Sequence, residues 1–291
     1  MSLIFYKPIL NYEYFLTLIH MSDKFIDLDK IINDRNPRLK KWLPNFLLNY
    51  LKKILHQKEI NEIINATENL DGFEFCTYVL QQFNIKIDVH GLENIPRSGG
   101  QIFAANHPLG GMDALAIVQE MQPIRTDFKF VVNDVLLNLK PLQNLFIGVN
   151  KLGSNSKESI TAFNQEFEKE QGIFVFPAGL VSRKKKNKVK DLVWKKTFIS
   201  RSRKFKKDVI PVFLDGELSD FFYNLANFRE RIGLKTNIEM LYLVNELFKQ
   251  KNKTYPLYFG KSIPFHTFDK SKTDLEWAAY VKNKVYTLKN E

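Results

Sequence analysis

Hydrophobic residues recur every three or four positions along the N-terminal part of the chain, which is the spacing of one helical face. The clearest row consists of Leu39, Trp42, Leu43, Phe46, Leu47, Tyr50, Leu51, Ile54 and Leu55. Pro44 has no amide hydrogen and is tolerated only in a first turn, so we expect the continuous helix to begin near Leu43. Two placements suit it: against the protein core, or on a membrane surface that would accept its Trp, Tyr and flanking lysines.

From Ile85 onwards, short apolar runs alternate with helical patterns. The predicted strands are Ile85–Val89, Gln101–Ala105, Phe128–Val132, Ile173–Phe176, Val209–Phe213 and Leu257–Gly260. The predicted helices lie at about residues 112–120, 156–170, 191–207, 219–231 and 274–288. Strands separated by helices favour a parallel sheet covered on both faces. The sequence therefore predicts an α/β fold, a largely parallel β-sheet flanked by helices, with an N-terminal helical module at residues 1–83 and an α/β domain at residues 84–291.

The composition is that of a globular protein, with 44% apolar and 26% charged residues in 291. This excludes disordered and collagen-like classes. A single cysteine, Cys76, excludes an intrachain disulfide and a four-cysteine zinc site, and histidine pairs with metal-ligand spacing are missing, so no metal is expected. No signal peptide and no run of about 20 apolar residues is present, so we expect a protein that is neither secreted nor membrane-spanning.

The formal charge of +11 is concentrated in one segment. Residues 181–207 contain 13 Lys and Arg and one acid, Asp191, which gives +12 there and 11 − 12 = −1 for the remainder. This basic segment is either a docking surface for an acidic partner or anionic lipid, or a solvated lysine-rich loop and helix face. Trp194, Phe198 and Phe205 have helical spacing within it and are expected in the core, not as base-stacking platforms.

The stretch QIFAANHPLGGMD, residues 101–113, carries the strongest indication of chemistry. A buried strand delivers His107 at its carboxyl end, where open α/β sheets place their ligands. Gly110 and Gly111 permit a tight turn, and Asp113 opens a helix. Such a turn would bring the carboxylate onto one imidazole nitrogen and leave the other free to take a proton, as in an oriented general base. The alternative is a structural histidine and an Asp113 that caps the helix.

A second strand end, at Phe176, runs into Pro177, Ala178 and Gly179. In a parallel sheet this turn opens on the same edge as His107, although a plain strand-to-helix turn also favours Pro and Gly. The chain has no phosphate-binding P-loop, no dinucleotide fingerprint and no Gly-x-Ser-x-Gly nucleophile elbow. Nucleotide-dependent and serine-nucleophile classes therefore find no support.

Four segments in this order resemble the sequence blocks of the glycerolipid acyltransferases, which include the bacterial lysophosphatidic acid acyltransferases. They are Asn106-His107 through Asp113, Phe146 to Lys151, Phe176-Pro177-Ala178-Gly179, and Val209-Ile210-Pro211-Val212. With NDVLLNLKPLQ, NLANFR and FGKSIPF added, the chain is most similar to a Bacteroidetes branch described as hemolysin-like or as O-acyltransferases of aminolipid synthesis.

The resemblance implies an O-acyltransferase that moves a fatty acyl group from an acyl carrier protein or coenzyme A thioester to a lysolipid hydroxyl. His107 would be the general base and Asp113 its orienting acid. Acceptor-binding positions would be Asn150, Lys151, Pro177, Ala178 and Gly179; donor or membrane docking would use Arg183, Lys184, Lys185 and Lys186. The resemblance implies no cofactor beyond the thioester, no nucleic-acid partner, and a cytoplasmic protein peripheral on the anionic inner face of the cell membrane.

Two departures from the family pattern bear on the acceptor. Five residues separate His107 from Asp113, where four are usual, and Ala178 replaces the usual glutamate. They favour a lysolipid other than a glycerol phosphate, such as a lyso-amino-acid lipid. The alternatives are a 1-acylglycerol-3-phosphate acyltransferase and, from another class, a non-catalytic membrane- or nucleic-acid-binding protein that uses residues 181–207.

Overall fold

The computed structural model describes residues 27–35, 37–133, 136–137, 139–149 and 157–290. They form two compact units. The first unit contains the chain up to Asp71 together with residues 218–251, and the second begins at Gly72, runs to Glu217 and resumes at Asn252. The sequence-based division at residues 83 and 84 stays a prediction; it differs from these units in assigning the Gly72–Gln82 helix to the N-terminal part.

The helices and strands are numbered in chain order. The helices are α1 (Leu28–Arg35), α2 (Pro37–Trp42), α3 (Asn45–Ile54), α4 (Gln57–Ala66), α5 (Gly72–Gln82), α6 (Gly111–Met121), α7 (Lys157–Glu168), α8 (Thr197–Phe205), α9 (Asp220–Arg231), α10 (Leu243–Phe248) and α11 (Asp274–Thr287). The strands are β1 (Lys86–His90), β2 (Ile102–Ala105), β3 (Phe128–Asn133), β4 (Phe146–Val149), β5 (Gly172–Val175), β6 (Arg183–Lys185), β7 (Lys188–Lys190), β8 (Val209–Leu214) and β9 (Thr254–Phe259). Single 3₁₀ turns lie at Leu92–Asn94, Lys140–Leu145, Ile238–Tyr242, Phe265–Thr267 and Leu288–Asn290.

In the helical first unit, the predicted apolar row extends over two helices and not one. Pro44, with extended backbone (φ −60°, ψ 142°), separates α2 from α3, so the helix begins at Asn45 and not near Leu43. One side of the row is buried with residues of α1 and the Ile238–Tyr242 turn; this core consists of Leu28, Ile32, Leu48, Ile54, Leu55 and Leu241. The aromatic side of the row, Trp42, Phe46 and Tyr50, is exposed. Each of the two predicted placements therefore describes only part of the row.

The second unit contains a seven-stranded sheet in the order β1-β9-β8-β2-β5-β3-β4. Neighbouring strands are parallel except β8 and β9, which are antiparallel. This confirms the predicted fold class of a largely parallel sheet flanked by helices. Since β2, β5 and β8 are adjacent and parallel, their carboxyl ends share one edge.

Every residue of the central strands β2, β5 and β8 is buried. Because successive side chains of a strand point to opposite faces of the sheet, both faces are covered there. On one face, aliphatic residues such as Ile102 and Ile173 pack in a core with residues of α8 and α11. The other face carries a stack of rings: Phe174 lies between Phe103 at 4.4 Å and Phe130 at 4.8 Å, measured between ring centroids. Phenylalanine thus supplies one side of the sheet beneath the predicted site.

Residues 183–207 differ most from the prediction. Lys186 and Asn187 both have positive φ, 48° and 58°, and form the two-residue turn of a β6–β7 hairpin that the sequence did not predict. The predicted helix at residues 191–207 is wrong in its first half, since α8 begins at Thr197. Asp191 and Trp194 lie before that helix, where their side chains bond to each other in the interior. The short strand β4 was also not predicted.

Candidate active site

Asn106 fixes the end of the strand that carries the proposed base. Its side-chain amide donates to the carbonyl of Leu214 (2.9 Å) and accepts from the Leu214 amide (2.8 Å). Both bonds are buried and join the carboxyl end of β2 to that of β8. The chain therefore leaves β2 in a fixed direction at His107.

The structure brings His107 and Asp113 together. Nδ1 of the imidazole lies 2.7 Å from Oδ2 of the carboxylate. The same carboxylate accepts from the amide of Leu109, at 3.0 and 3.2 Å to its two oxygens. Gly110 makes this turn possible with φ 74° and ψ −131°, a conformation that a residue with a Cβ rarely adopts. The glycine turn thus accommodates the fifth residue between histidine and aspartate.

Burial sets the electrostatics of the pair. The side chain of Asp113 is 0% exposed, while that of His107 is 19% exposed. Desolvation raises the pKa of Asp113 to about 6, against the opposing effects of the His107 and Leu109 hydrogen bonds. The carboxylate accepts a hydrogen bond from Nδ1–H, which leaves Nε2 of the imidazole directed away from Asp113 and able to accept a proton.

The turn after β5 lies against the same imidazole, as the shared sheet edge predicts. The ring of Phe176 stacks on His107 with centroids 4.3 Å apart and planes 25° apart. The turn closes with a bond from the Gly179 amide to the Phe176 carbonyl (2.9 Å), and Gly179 has φ 70°. Ala178 is buried, and the Pro177 carbonyl accepts from the Lys195 amide (3.0 Å). Of the predicted acceptor positions, these three residues follow directly on the ring that covers His107.

The other predicted site residues differ in their exposure, and two of them cannot be placed. Asn150 and Lys151 lie outside the described residues. Arg183 is buried and its guanidinium donates to the Val181 carbonyl (2.7 Å), and its docking role stays a prediction. Lys184 is partly exposed and pairs with Glu217 (3.3 Å), whereas Lys185 and Lys186 are exposed on the hairpin.

Sequence reasoning missed two contributions to the site. Phe176 was predicted as the end of a strand and as part of the third sequence block, but not as a side chain of the site, although its ring stacks on the imidazole. Asp191 was counted only as the single acid of the basic segment, yet it accepts a bond from the His107 amide (3.2 Å). Its isolation among 13 cations was the available signal. Within the described residues, no group of three His, Cys, Asp or Glu is placed to hold a metal ion; the expectation of a metal-free site stays a prediction.

Comparisons with known proteins agree on a family. A family model described as acyltransferase matches residues 30–291. The chain is 44% identical over 264 residues to the lyso-glycine lipid O-acyltransferase of Bacteroides thetaiotaomicron, covering 90% of this chain and 97% of the relative. It is 41% identical over 264 residues to the lyso-glycine lipid O-acyltransferase of Phocaeicola vulgatus, covering 90% and 95%.

A solved structure has a related fold. It is the crystal structure of the 1-acyl-sn-glycerophosphate acyltransferase PlsC from Thermotoga maritima, with a TM-score of 0.50 over 84% of this chain and 90% of that chain. The two sequences are 17% identical, so the likeness concerns the fold alone.

The raised pKa of Asp113 predicts a pH-dependent difference in stability between the wild type and Asp113→Asn. An aspartate with a higher pKa in the folded than in the unfolded protein contributes stability that is present below the unfolded value of 3.8 and is lost as the pH rises through about 6. The asparagine cannot ionise, so we expect the melting temperature of the variant to rise relative to the wild type between pH 4 and 7. Thermal unfolding at several pH values measures this, and a constant difference would contradict it.

Proposed function

The chain belongs to the acyltransferase family, and from this premise we propose that it transfers a fatty acyl group from a thioester to a hydroxyl of a lyso-glycine lipid. Family membership confirms the resemblance seen in the four sequence blocks. The protein is therefore an enzyme, and the non-catalytic alternative is wrong. What remains to be proposed is the acceptor, the donor, the roles of the side chains and the contact with a membrane.

The proposed acceptor follows from the relatives and from one position in the site. Two proteins named for a lyso-glycine lipid match along more than nine-tenths of their own length. In this chain Ala178, buried beside Phe176, stands where the glycerolipid pattern has a carboxylate. The acceptor therefore differs in head group from lysophosphatidic acid, and the phosphate acceptor is the alternative that an assay must exclude.

The observation that carries the mechanism is the His107–Asp113 bond at the strand edge. With Nδ1 held by the carboxylate, Nε2 takes the proton of the acceptor hydroxyl as its oxygen attacks the thioester carbonyl carbon. The attack forms the new C–O bond and a tetrahedral oxyanion. The oxyanion collapses, the C–S bond breaks, and the thiolate leaves with the proton that the imidazole had accepted. The products are the ester and the free thiol, and the histidine returns to its neutral state.

Purified protein should transfer an acyl group to a lyso-glycine lipid, and His107→Gln should reduce the rate by a factor on the order of 10² to 10⁴, the usual contribution of a general base. His90→Gln is the matched control, because His90 lies in the same unit and stacks on Tyr258. Mass spectrometry of the lipid product measures the transfer. Lysophosphatidic acid is assayed in parallel; preference for it would overturn the proposed acceptor, and equal rates in His107→Gln and wild type would overturn the mechanism.

We propose that the β6–β7 hairpin contacts the acidic part of the donor, which is an acyl carrier protein or coenzyme A. Residues 185–188 of the turn are all exposed, and three of the four are lysines. The segment that follows brings Lys195 towards the turn after β5, since a Cβ on Gly179 would lie 3.2 Å from Nζ of Lys195. Lysines therefore lie both on the hairpin and beside the turn after β5, and this positive charge favours binding of an anionic partner.

Reversing two charges on the hairpin should weaken the use of a carrier-protein donor. We expect Lys185→Glu with Lys186→Glu to raise KM for acyl carrier protein thioester at low salt, and this difference to shrink at high salt because exposed charges are screened. Lys261→Glu with Lys270→Glu, an equal charge change at exposed positions elsewhere, is the control. Steady-state kinetics with carrier-protein and coenzyme A donors measure both. Unchanged KM for both donors would remove the hairpin from donor binding.

We further propose that the first unit lies on the inner face of the cell membrane. Six of the nine exposed large hydrophobic side chains of the described chain belong to this unit: Trp42, Phe46, Tyr50, Phe221, Phe228 and Ile232. The row on α3 and the row on α9 meet at Tyr242, whose hydroxyl lies 2.8 Å from that of Tyr50 and whose ring contacts Phe221 edge-on at 4.9 Å. We call these six residues the aromatic face.

Cations border the aromatic face. Nζ of Lys249 lies 5.5 Å from the ring centroid of Phe221, and Lys41, Lys53 and Arg231 are exposed. Exposed aromatic rings with basic neighbours suit the boundary between acyl chains and head groups. No described helix has the length and apolar character required to cross a bilayer. Contact along the surface is therefore the mode of binding that we propose.

Flotation with liposomes separates the two surfaces. We expect Trp42→Ser with Phe46→Ser to reduce recovery with both neutral and anionic liposomes, since it removes apolar contact. We expect the hairpin variant Lys185→Glu with Lys186→Glu to be recovered like the wild type, because the hairpin is proposed to contact the donor and not the membrane. Leu275→Ser, an exposed apolar position of the second unit, is the control. Wild-type recovery of the Trp42 and Phe46 variant would contradict the role of the aromatic face.

A further inference from the structure

Asp191 is the only acid of the basic segment, and it is buried at 6% exposure. Its carboxylate accepts hydrogen bonds from His107, Ser182 and Trp194, and the Tyr286 hydroxyl also lies within hydrogen-bond reach of it. Oδ1 accepts from the His107 amide at 3.2 Å and from the Ser182 hydroxyl at 2.5 Å, and Oδ2 accepts from Nε1 of Trp194 at 2.8 Å. A carboxylate among cations is expected to pair with one of them at the surface, whereas this one is directed at the backbone of the proposed base.

The main chain of His107 is held on both sides. Its amide donates to Asp191, and its carbonyl accepts from the amide of Ser182 at 2.8 Å. The Ser182 hydroxyl in turn donates to the same Asp191 oxygen as the His107 amide. These bonds join His107, Ser182 and Asp191 in a closed network, which we call the clamp, and rotation of the His107 backbone would break at least one of them. The clamp is separate from the bond to Asp113, because that bond holds the imidazole of His107 and not its backbone.

Helix α11 fixes Asp191 itself. The Lys282 ammonium donates to the carbonyls of Asp191 (2.7 Å) and Leu192 (2.8 Å), and the Asp191 amide donates to the Tyr286 hydroxyl (2.7 Å). Lys282 and Tyr286 are four residues apart and so lie on one face of the helix. The backbone of Asp191 is thereby attached to a helix whose Val281 and Val285 are fully buried in the core.

We propose that Asp191 is a positioning residue for acyl transfer, one that fixes the His107 backbone so that the imidazole meets the acceptor hydroxyl in a reactive geometry. The inference rests on the proposed role of His107. Catalysis by an oriented group is sensitive to displacements of about 1 Å, which reduce rates by a factor on the order of 10². Asp113 sets the orientation of the His107 imidazole, and Asp191 sets the position of the backbone from which that imidazole extends.

The chemistry of the three partners requires a carboxylate. All three groups directed at Asp191 are donors, so each of its oxygens must accept. In Asp191→Asn, one carboxamide oxygen still accepts from His107 and Ser182, but the NH₂ group then opposes the indole N–H of Trp194. Replacing the indole by phenyl in Asp191→Asn with Trp194→Phe removes this opposition. The double variant is therefore expected to recover part of what the single asparagine variant loses.

The experiment combines steady-state kinetics with nuclear magnetic resonance of the histidine ring. We expect Asp191→Ala to lower kcat by a factor on the order of 10² while KM for the lysolipid stays the same, because orientation and not binding is lost. Asp191→Asn should fall between Ala and wild type, and Asp191→Asn with Trp194→Phe should exceed Asp191→Asn. In ¹⁵N-histidine-labelled protein, the His107 signals, identified by their absence in His107→Gln, should shift or broaden in Asp191→Ala.

Asp208→Ala is the matched control. Asp208 also holds a backbone amide, that of Phe265 at 2.9 Å, and it makes no bond to the site. We expect it to lose thermal stability and to keep kcat and the His107 signals. Should Asp191→Ala fail to fold, Tyr286→Phe and the two asparagine variants decide; Tyr286→Phe removes the hydroxyl that contacts the Asp191 amide and the side chains of Asp191 and Ser182.

The outcomes separate this inference from the proposed function. Wild-type kcat and wild-type His107 signals in folded Asp191 variants would overturn the positioning role and leave the acyltransferase mechanism standing. If wild-type protein acylates no lysolipid, the proposed function fails, and the His107 signals still report whether Asp191 places the ring. A loss of stability equal to that of Asp208→Ala, without a change in kcat, would reduce Asp191 to a structural residue.

Discussion

A carboxylate with no exposure to water must be hydrogen-bonded wherever it lies, and Asp113 imposes this requirement on the turn that follows β2. Its partners come from one short turn, the Leu109 amide and the His107 ring. That turn exists only because Gly110 adopts a positive φ and because Asn106 anchors the preceding strand to β8. The position of the buried Asp113 therefore depends both on the glycine turn and on the pairing of β2 with β8. Displacing any of them leaves a charge or an amide in the interior without its partner.

The sequence predicted the features that depend on neighbouring residues. His107 and Asp113 are six positions apart in a stretch rich in turn residues, so their contact could be predicted from local geometry, and buried apolar runs identified the central strands. The clamp by Asp191 joins positions 84 residues apart through a backbone amide, for which no periodic pattern exists. The hairpin was missed because its turn uses Lys186 and Asn187 where glycine is the commoner signal. The sequence left two placements open for the α3 row because the burial of an amphipathic row depends on what packs against it.

The charged residues of segment 181–207 fall into two groups, one exposed at the surface and one buried. Exposed lysines at residues 185–188 form a surface, while Arg183, Asp191 and Lys207 are buried in the interior. Lys207 donates to the Lys169 carbonyl at 2.7 Å, and burial lowers its pKa. Trp194 and Phe198 are core residues of the same segment. A net charge summed along a sequence therefore overstates the charge that a partner meets, because some of the cations are buried and donate hydrogen bonds to backbone carbonyls.

The last long helix carries a consequence for the order in which the protein is made. Synthesis proceeds from the N-terminus, and domains form as their parts emerge from the ribosome. His107 and Asp113 are synthesised before Lys282 and Tyr286 of α11, which hold Asp191 in place. Strand β1 likewise gains its partner only with β9, from residue 254 onwards. A nascent chain thus carries its acid–base pair well before it can complete the clamp around that pair.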